Sequence, residues 1–74
     1  MKKYSVKKIK TSEGTFEVVF DEAHYYVVDH TTNSVFGGCH ATAEEAEMEL
    51  LDEIIKEWEI DPEEITIEIT GYHI

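Results

Sequence analysis

Apolar positions in the first 40 residues recur with a period of two, the spacing of a strand whose successive side chains face opposite ways. Tyr4 and Val6 alternate within Tyr4–Lys10, Ile9 falls on the opposite parity, and Thr11-Ser12-Glu13-Gly14 follows as a turn in which glycine can take positive φ. Thr15–Phe20 sets Phe16, Val18 and Phe20 on one face and Glu17 and Val19 on the other. Asp21-Glu22-Ala23 then turns the chain into the aromatic and β-branched run His24–Asp29. His30-Thr31-Thr32-Asn33 is a second polar turn, and Ser34-Val35-Phe36 is a short fourth strand that Gly37-Gly38 ends or bulges. The pattern predicts an antiparallel β-meander of three to four strands.

The period changes at Thr42-Ala43-Glu44-Glu45, a capping box in which the Thr hydroxyl faces the Glu45 N–H and the Glu45 side chain reaches back. Ala43, Ala46, Leu50, Ile54 and Trp58 recur at helical spacing, and Leu51 and Ile55 widen the stripe. This predicts one amphipathic helix packed on the sheet. Asp61-Pro62-Glu63-Glu64 breaks it, with Pro62 suited to a turn or a first helical turn, and Ile65–Thr70 reads as a C-terminal strand. Gly71-Tyr72-His73-Ile74 reads as a frayed or bulged end. The fold class is α+β in the order β-β-β-(β)-α-β, one small domain over residues 1–74.

One helix covers one face of a sheet. Tyr25-Tyr26-Val27-Val28 is apolar on both parities, and Val19 and Ile9 are expected to add to the uncovered side. A homodimer or a partner protein packing on Val19, Tyr25, Tyr26, Val27 and Val28 is therefore one expectation. Tyrosines lying flat on a solvated sheet are the alternative.

Composition narrows the function. With 74 residues and 42% hydrophobic content the chain suits a small globular domain and leaves no room for a dinucleotide-binding fold or a kinase core. No apolar run approaches the roughly 20 residues that span a bilayer. Lys7, Lys8 and Lys10 interrupt the stretch where a signal peptide would be apolar, and one cysteine, Cys39, cannot form an internal disulfide. A cytoplasmic protein is expected, with no membrane partner.

Charge changes the picture most. Residues 1–12 carry +5 and residues 13–74 carry −16, for a net charge of −11. Residues 44–64 hold eleven acids and one lysine, Lys56. Arginine is absent, which removes the bidentate guanine and phosphate contacts of specific DNA recognition, so direct nucleic-acid binding is not expected. At about 1.5 Å rise per residue the helix acids fall roughly every 3 Å, near the roughly 3.4 Å charge spacing of one DNA strand. Glu45-Glu49, Glu49-Glu53 and Glu53-Glu57 are like-charge i, i+4 pairs that destabilise a helix by about 0.2–0.5 kcal/mol each, against one favourable Asp52-Lys56 pair. Helix stability thus does not account for the acids. Either they solubilise the domain or Glu45, Glu49, Asp52, Glu53 and Glu57 meet a basic protein surface as a nucleic-acid mimic, as in a phage-like or mobile-element inhibitor. The basic first strand would neutralise part of the field by lying against acids of its own chain or a second copy.

The run His24-Tyr25-Tyr26-Val27-Val28, then Gly38-Cys39-His40 and Thr42-Ala43-Glu44-Glu45-Ala46, resembles the core of HicB-type antitoxins over about residues 24–56. The chain lacks the Pro-rich segment before the Gly-Cys and the further Gly before the Thr that are usual there. The resemblance implies a protein-neutralising, antitoxin-like role and no catalytic residues.

Enzyme chemistry finds little support in the residues. Asp21-Glu22-Ala23-His24 spells a helicase tetrad without the phosphate-cradling Gly-rich loop, and reads as a turn. Cys39 and His40 are neighbours on an extended chain and point apart, and Cys39 is expected to be a small packed side chain. His24, His30, His40 and His73 lack metal-ligand spacing, and the turn Asp29–Asn33 lacks the Gly and Glu of a calcium loop. No catalytic residue, metal or cofactor is expected.

Overall fold

The computed structural model describes residues 3–71. Four consecutive strands, β1 (Tyr4–Thr11), β2 (Gly14–Phe20), β3 (Tyr25–Asp29) and β4 (Ser34–His40), form an antiparallel meander. One helix, α1 (Ala43–Lys56), and a 3-10 turn at Pro62–Glu64 lead to β5 (Thr66–Ile69), which pairs antiparallel with β1. The five-stranded sheet has the order β4-β3-β2-β1-β5. The α+β fold and element order read from the sequence are those observed; the end at Tyr72-His73-Ile74 lies outside the described residues.

The core lies between α1 and one face of the sheet. Ala43, Ala46, Leu50 and Ile54 of the helix meet Phe16, Val18, Tyr25 and Val27, with Ile60 closing the end. Phe16, Ile9, Leu50 and Ile54 are among the side chains fully removed from water, and burying such a side chain contributes about 1.5–3 kcal/mol.

Two irregularities adjust the strands. The β1–β2 register shifts between Ser5 and Lys7, so that Val6 and Ile9 both enter the core despite their opposite parity. Ile9 was expected on the uncovered face; the bulge corrects that. In β4 the register shifts opposite Tyr25–Val27, and Gly37 takes φ +72°, so the glycine pair bulges the strand and lets it run on to His40.

At the helix start Thr42 Oγ1 accepts from Glu45 N–H at 3.1 Å. Glu45 reaches back to the Thr42 hydroxyl, not to its N–H, so half of the expected box forms. At the other end α1 stops at Lys56: Trp58 N–H donates to Glu53 C=O, Ile60 N–H donates to Ile54 C=O, and Glu59 takes φ +55°. Trp58, expected as the last member of the helical stripe, therefore stands beyond the helix. Asp61 caps the 3-10 turn through Glu63 N–H at 2.9 Å, with Pro62 in its first turn.

Candidate functional site

The four candidate acids of α1 and Glu57 at its C-cap differ in availability. Asp52, Glu53 and Glu57 are exposed and form no ion pair among the described residues. Glu45 is exposed and takes the Thr42 hydroxyl at 3.1 Å. Glu49 is half-buried and committed: it accepts from His40 Nε2–H at 2.8 Å and Gly38 N–H at 3.1 Å, tying α1 to β4. The His40 hydrogen bond first, and then the Gly38 N–H, hold its carboxyl below the ordinary 4.5. A Cβ at Gly37 would collide with that carboxylate, so the clasp in this position uses the space that glycine leaves. Lys56 forms no ion pair with Asp52 among the described residues, contrary to the i, i+4 expectation, so the one lysine of α1 stays exposed beside the acids without closing on any of them.

The basic strand behaves differently. Lys7 lies on the helix side, where its Nζ meets Glu47 Oε1 at 2.6 Å with both side chains mostly buried. Lys10 pairs with Glu68 at 3.8 Å on the opposite face. Lys8 stands between Glu17 and Glu68 in the register. Burial pushes the Glu17 carboxyl up, yet Ser5, His30 and Lys8 outweigh it and hold the group below its ordinary value. The lysines of β1 therefore lie against acids of their own chain.

The expected sheet face divides. Tyr25 and Val27 belong to the core beneath α1 and are not available to a partner. Val19 and Tyr26 pair on the opposite face, and each is only 7% exposed. Lys3 Nζ lies 6.0 Å from the Tyr26 ring. Of that set Val28 alone is half-open, beside Val35 at 56%. The larger apolar exposure is elsewhere: α1 lies over β2, β3 and β4, and Ile67 and Ile69 of β5 stay open on the helix side of the sheet.

Cys39 is exposed, which corrects the expected packed side chain: it lies on edge strand β4, where the core does not reach its face. The neighbouring His40 ring is held by Glu49. Asp21-Glu22-Ala23-His24 is the turn between β2 and β3. There Asp21 Oδ1 accepts from His24 N–H at 2.8 Å and Ala23 N–H at 3.0 Å, which lowers its carboxyl. Glu22 at φ +77° accepts from the Tyr4 hydroxyl. His30 pairs with Glu17 at 3.0 Å, and no three His, Cys, Asp or Glu side chains among the described residues gather as a metal site. A cleft of about 420 Å³ opens between the start of α1 and the ends of β1 and β2, with Lys7 and Phe20 in its wall. No helix among the described residues is long and apolar enough to cross a membrane.

The Lys7–Glu47 link and the opening of Ile67 and Ile69 have no local sequence signal. The first joins residues 40 apart, and the second depends on where the helix lies across the sheet. Searches of protein-family models, curated proteins and solved structures find no match to the chain.

Proposed function

We propose that this protein is a non-enzymatic, acidic protein-binding domain of the cytoplasm, and that the outward face of α1 engages a basic surface that otherwise binds nucleic acid. The observation that carries the reading is the imbalance of pairing. Lys7 and Lys10 of β1 are each paired with an acid of the same chain, while among the described residues Asp52, Glu53 and Glu57 form no ion pair and Glu45 has only a hydroxyl. Like-charge spacing on a helix opposes folding, so an arrangement that leaves it unrelieved fits a surface completed by another molecule. Glu49 serves mainly as the clasp to β4 and contributes charge at the edge of this surface.

The test is capture of partners from native-host lysate by the tagged protein, at two salt concentrations and with or without excess duplex DNA. The expected result is a basic nucleic-acid-binding protein released by DNA and by salt, and lost with Glu45→Lys, Asp52→Lys and Glu53→Lys combined. Capture indifferent to all three overturns the reading. A second reading, an antitoxin-like or homodimeric module, is supported by the open part of the sheet face. It requires Val28→Lys with Val35→Lys to abolish binding while the helix variants do not.

A further inference from the structure

A second, smaller cleft lies at the opposite end of the helix from the first. It has a volume of about 290 Å³ and is lined by Glu13, Phe16, Asp29, Thr31, Thr32 and Trp58. A space of that size is at the low end for a small-molecule site and suits a single side chain. Its base is aromatic: Trp58 lies 5.7 Å from Phe16 and 6.0 Å from Phe36, ring centre to ring centre, and the two phenylalanines are 5.7 Å apart. Trp58 nevertheless keeps 41% of its surface exposed. The wall holds Asp29, a carboxylate only 9% exposed on the core side of β3. Its Oδ1 accepts from Thr31 N–H at 2.8 Å. Its Oδ2 has no hydrogen-bond partner among the described residues, and no unpartnered side-chain polar atom there is cut off from solvent, so that oxygen remains accessible.

A nearly buried carboxylate with one free oxygen, an aromatic platform beside it, and a second acid at the rim make a site for a cation. None of the six lining residues is basic, and the C-terminal end of α1, where Trp58 is placed, carries partial negative charge. The lining offers two carboxylates rather than the cluster of oxygens that a divalent ion needs, and no metal-type grouping occurs among the described residues. Of the organic cations, a guanidinium fits best: it is planar, stacks on aromatic rings, is weakly hydrated, and forms directed N–H bonds to a carboxylate. We infer that the Trp58–Asp29 cleft receives an arginine side chain of the partner protein. The inference deepens the proposed binding of a basic surface and rests on that reading for its source of arginine. It gives a diffuse acidic face one central anchor, the position that arginine often fills in protein interfaces.

The full-length protein is titrated with Nα-acetyl-arginine amide and, separately, with the matching citrulline compound, a neutral shape analogue. The readout is the indole N–H resonance of Trp58, the only tryptophan in the chain. The expected result is a saturable shift with the arginine probe, none with citrulline, and affinity about five-fold weaker in Asp29→Asn. Asparagine keeps the oxygen that accepts from Thr31. Should that variant not fold, Glu13→Gln at the exposed rim is expected to weaken binding about two-fold. An equal response to citrulline, or unchanged affinity in a folded Asp29→Asn protein, overturns the inference. Free arginine, whose carboxylate meets the acidic rim, is expected to bind more weakly than the amide. The reverse order would assign the cleft to a free metabolite and overturn the partner side chain. The double variant Glu45→Lys, Asp52→Lys separates the two proposals: it is expected to lose the partner while the arginine probe still binds.

Discussion

Strand β1 and helix α1 carry opposite charge and treat it in opposite ways. In β1, Lys7 and Lys10 each find a carboxylate of the same chain, through Glu47 on the helix side and Glu68 on the other face. In α1 and at its C-cap, Asp52, Glu53 and Glu57 are exposed and form no ion pair among the described residues. The difference shows where charge holds the molecule together and where it is only displayed. The mostly buried Lys7–Glu47 contact joins helix to sheet, whereas the outward acids act against the helix that carries them.

The largest way to break the comparison is to remove the packing that carries the acids. Leu50→Ala should destabilise the fold by about 2–5 kcal/mol in urea denaturation, because a fully buried side chain at the centre of the α1 stripe leaves a cavity. Next is the internal pair. Lys7→Met, which keeps the aliphatic stem and strands Glu47, should cost about 1–2 kcal/mol. Adding Glu47→Gln should recover part of that loss in a double-mutant cycle.

The clasp between α1 and β4 has a pH signature. The Glu49 carboxyl is held below 4.5 in the folded protein, so its contribution is present above pH 4.5 and lost as the pH falls through the folded value. The acid limb of wild-type stability should therefore be steeper than that of Glu49→Gln. The difference should be no more than about 1 kcal/mol, because the side chain is only half-buried and water screens its contacts. The smallest effect has the opposite sign. Glu53→Gln relieves repulsion with Glu49 and Glu57 and should stabilise the protein by about 0.2–0.5 kcal/mol for each pair, a gain that disappears in high salt. The same substitution is expected to weaken binding to the basic partner, measured by salt-dependent capture. Stability and affinity moving in opposite directions would mark the helix acids as serving binding.

Much of the fold was legible because short-range rules dictate it. Phe16, Val18 and Phe20 could only face one way, Thr42 before Ala43 could only start a helix of this period, and Pro62 after Asp61 could only open a new turn. The candidate site was legible in part. The acids of α1 were evident from spacing, but the detachment of Glu49 from that set was not, since its partners Gly38 and His40 lie on a strand whose extent depended on how Gly37 bends.

The sequence by itself determined the order of elements, the core stripe of the helix and the excess of acid over base, because these follow from periods of two and 3.6 and from simple counts. Tertiary structure alone decided that a bulge at Val6 brings Ile9 into the core and that Lys7 meets Glu47. It also decided that Tyr25 and Val27 lie beneath the helix, and that Trp58 stands beyond its end, lining one cleft with Asp29. Each of these depends on register and on where the helix crosses the sheet, and those are set by packing between residues far apart in the chain, for which local pattern carries no signal.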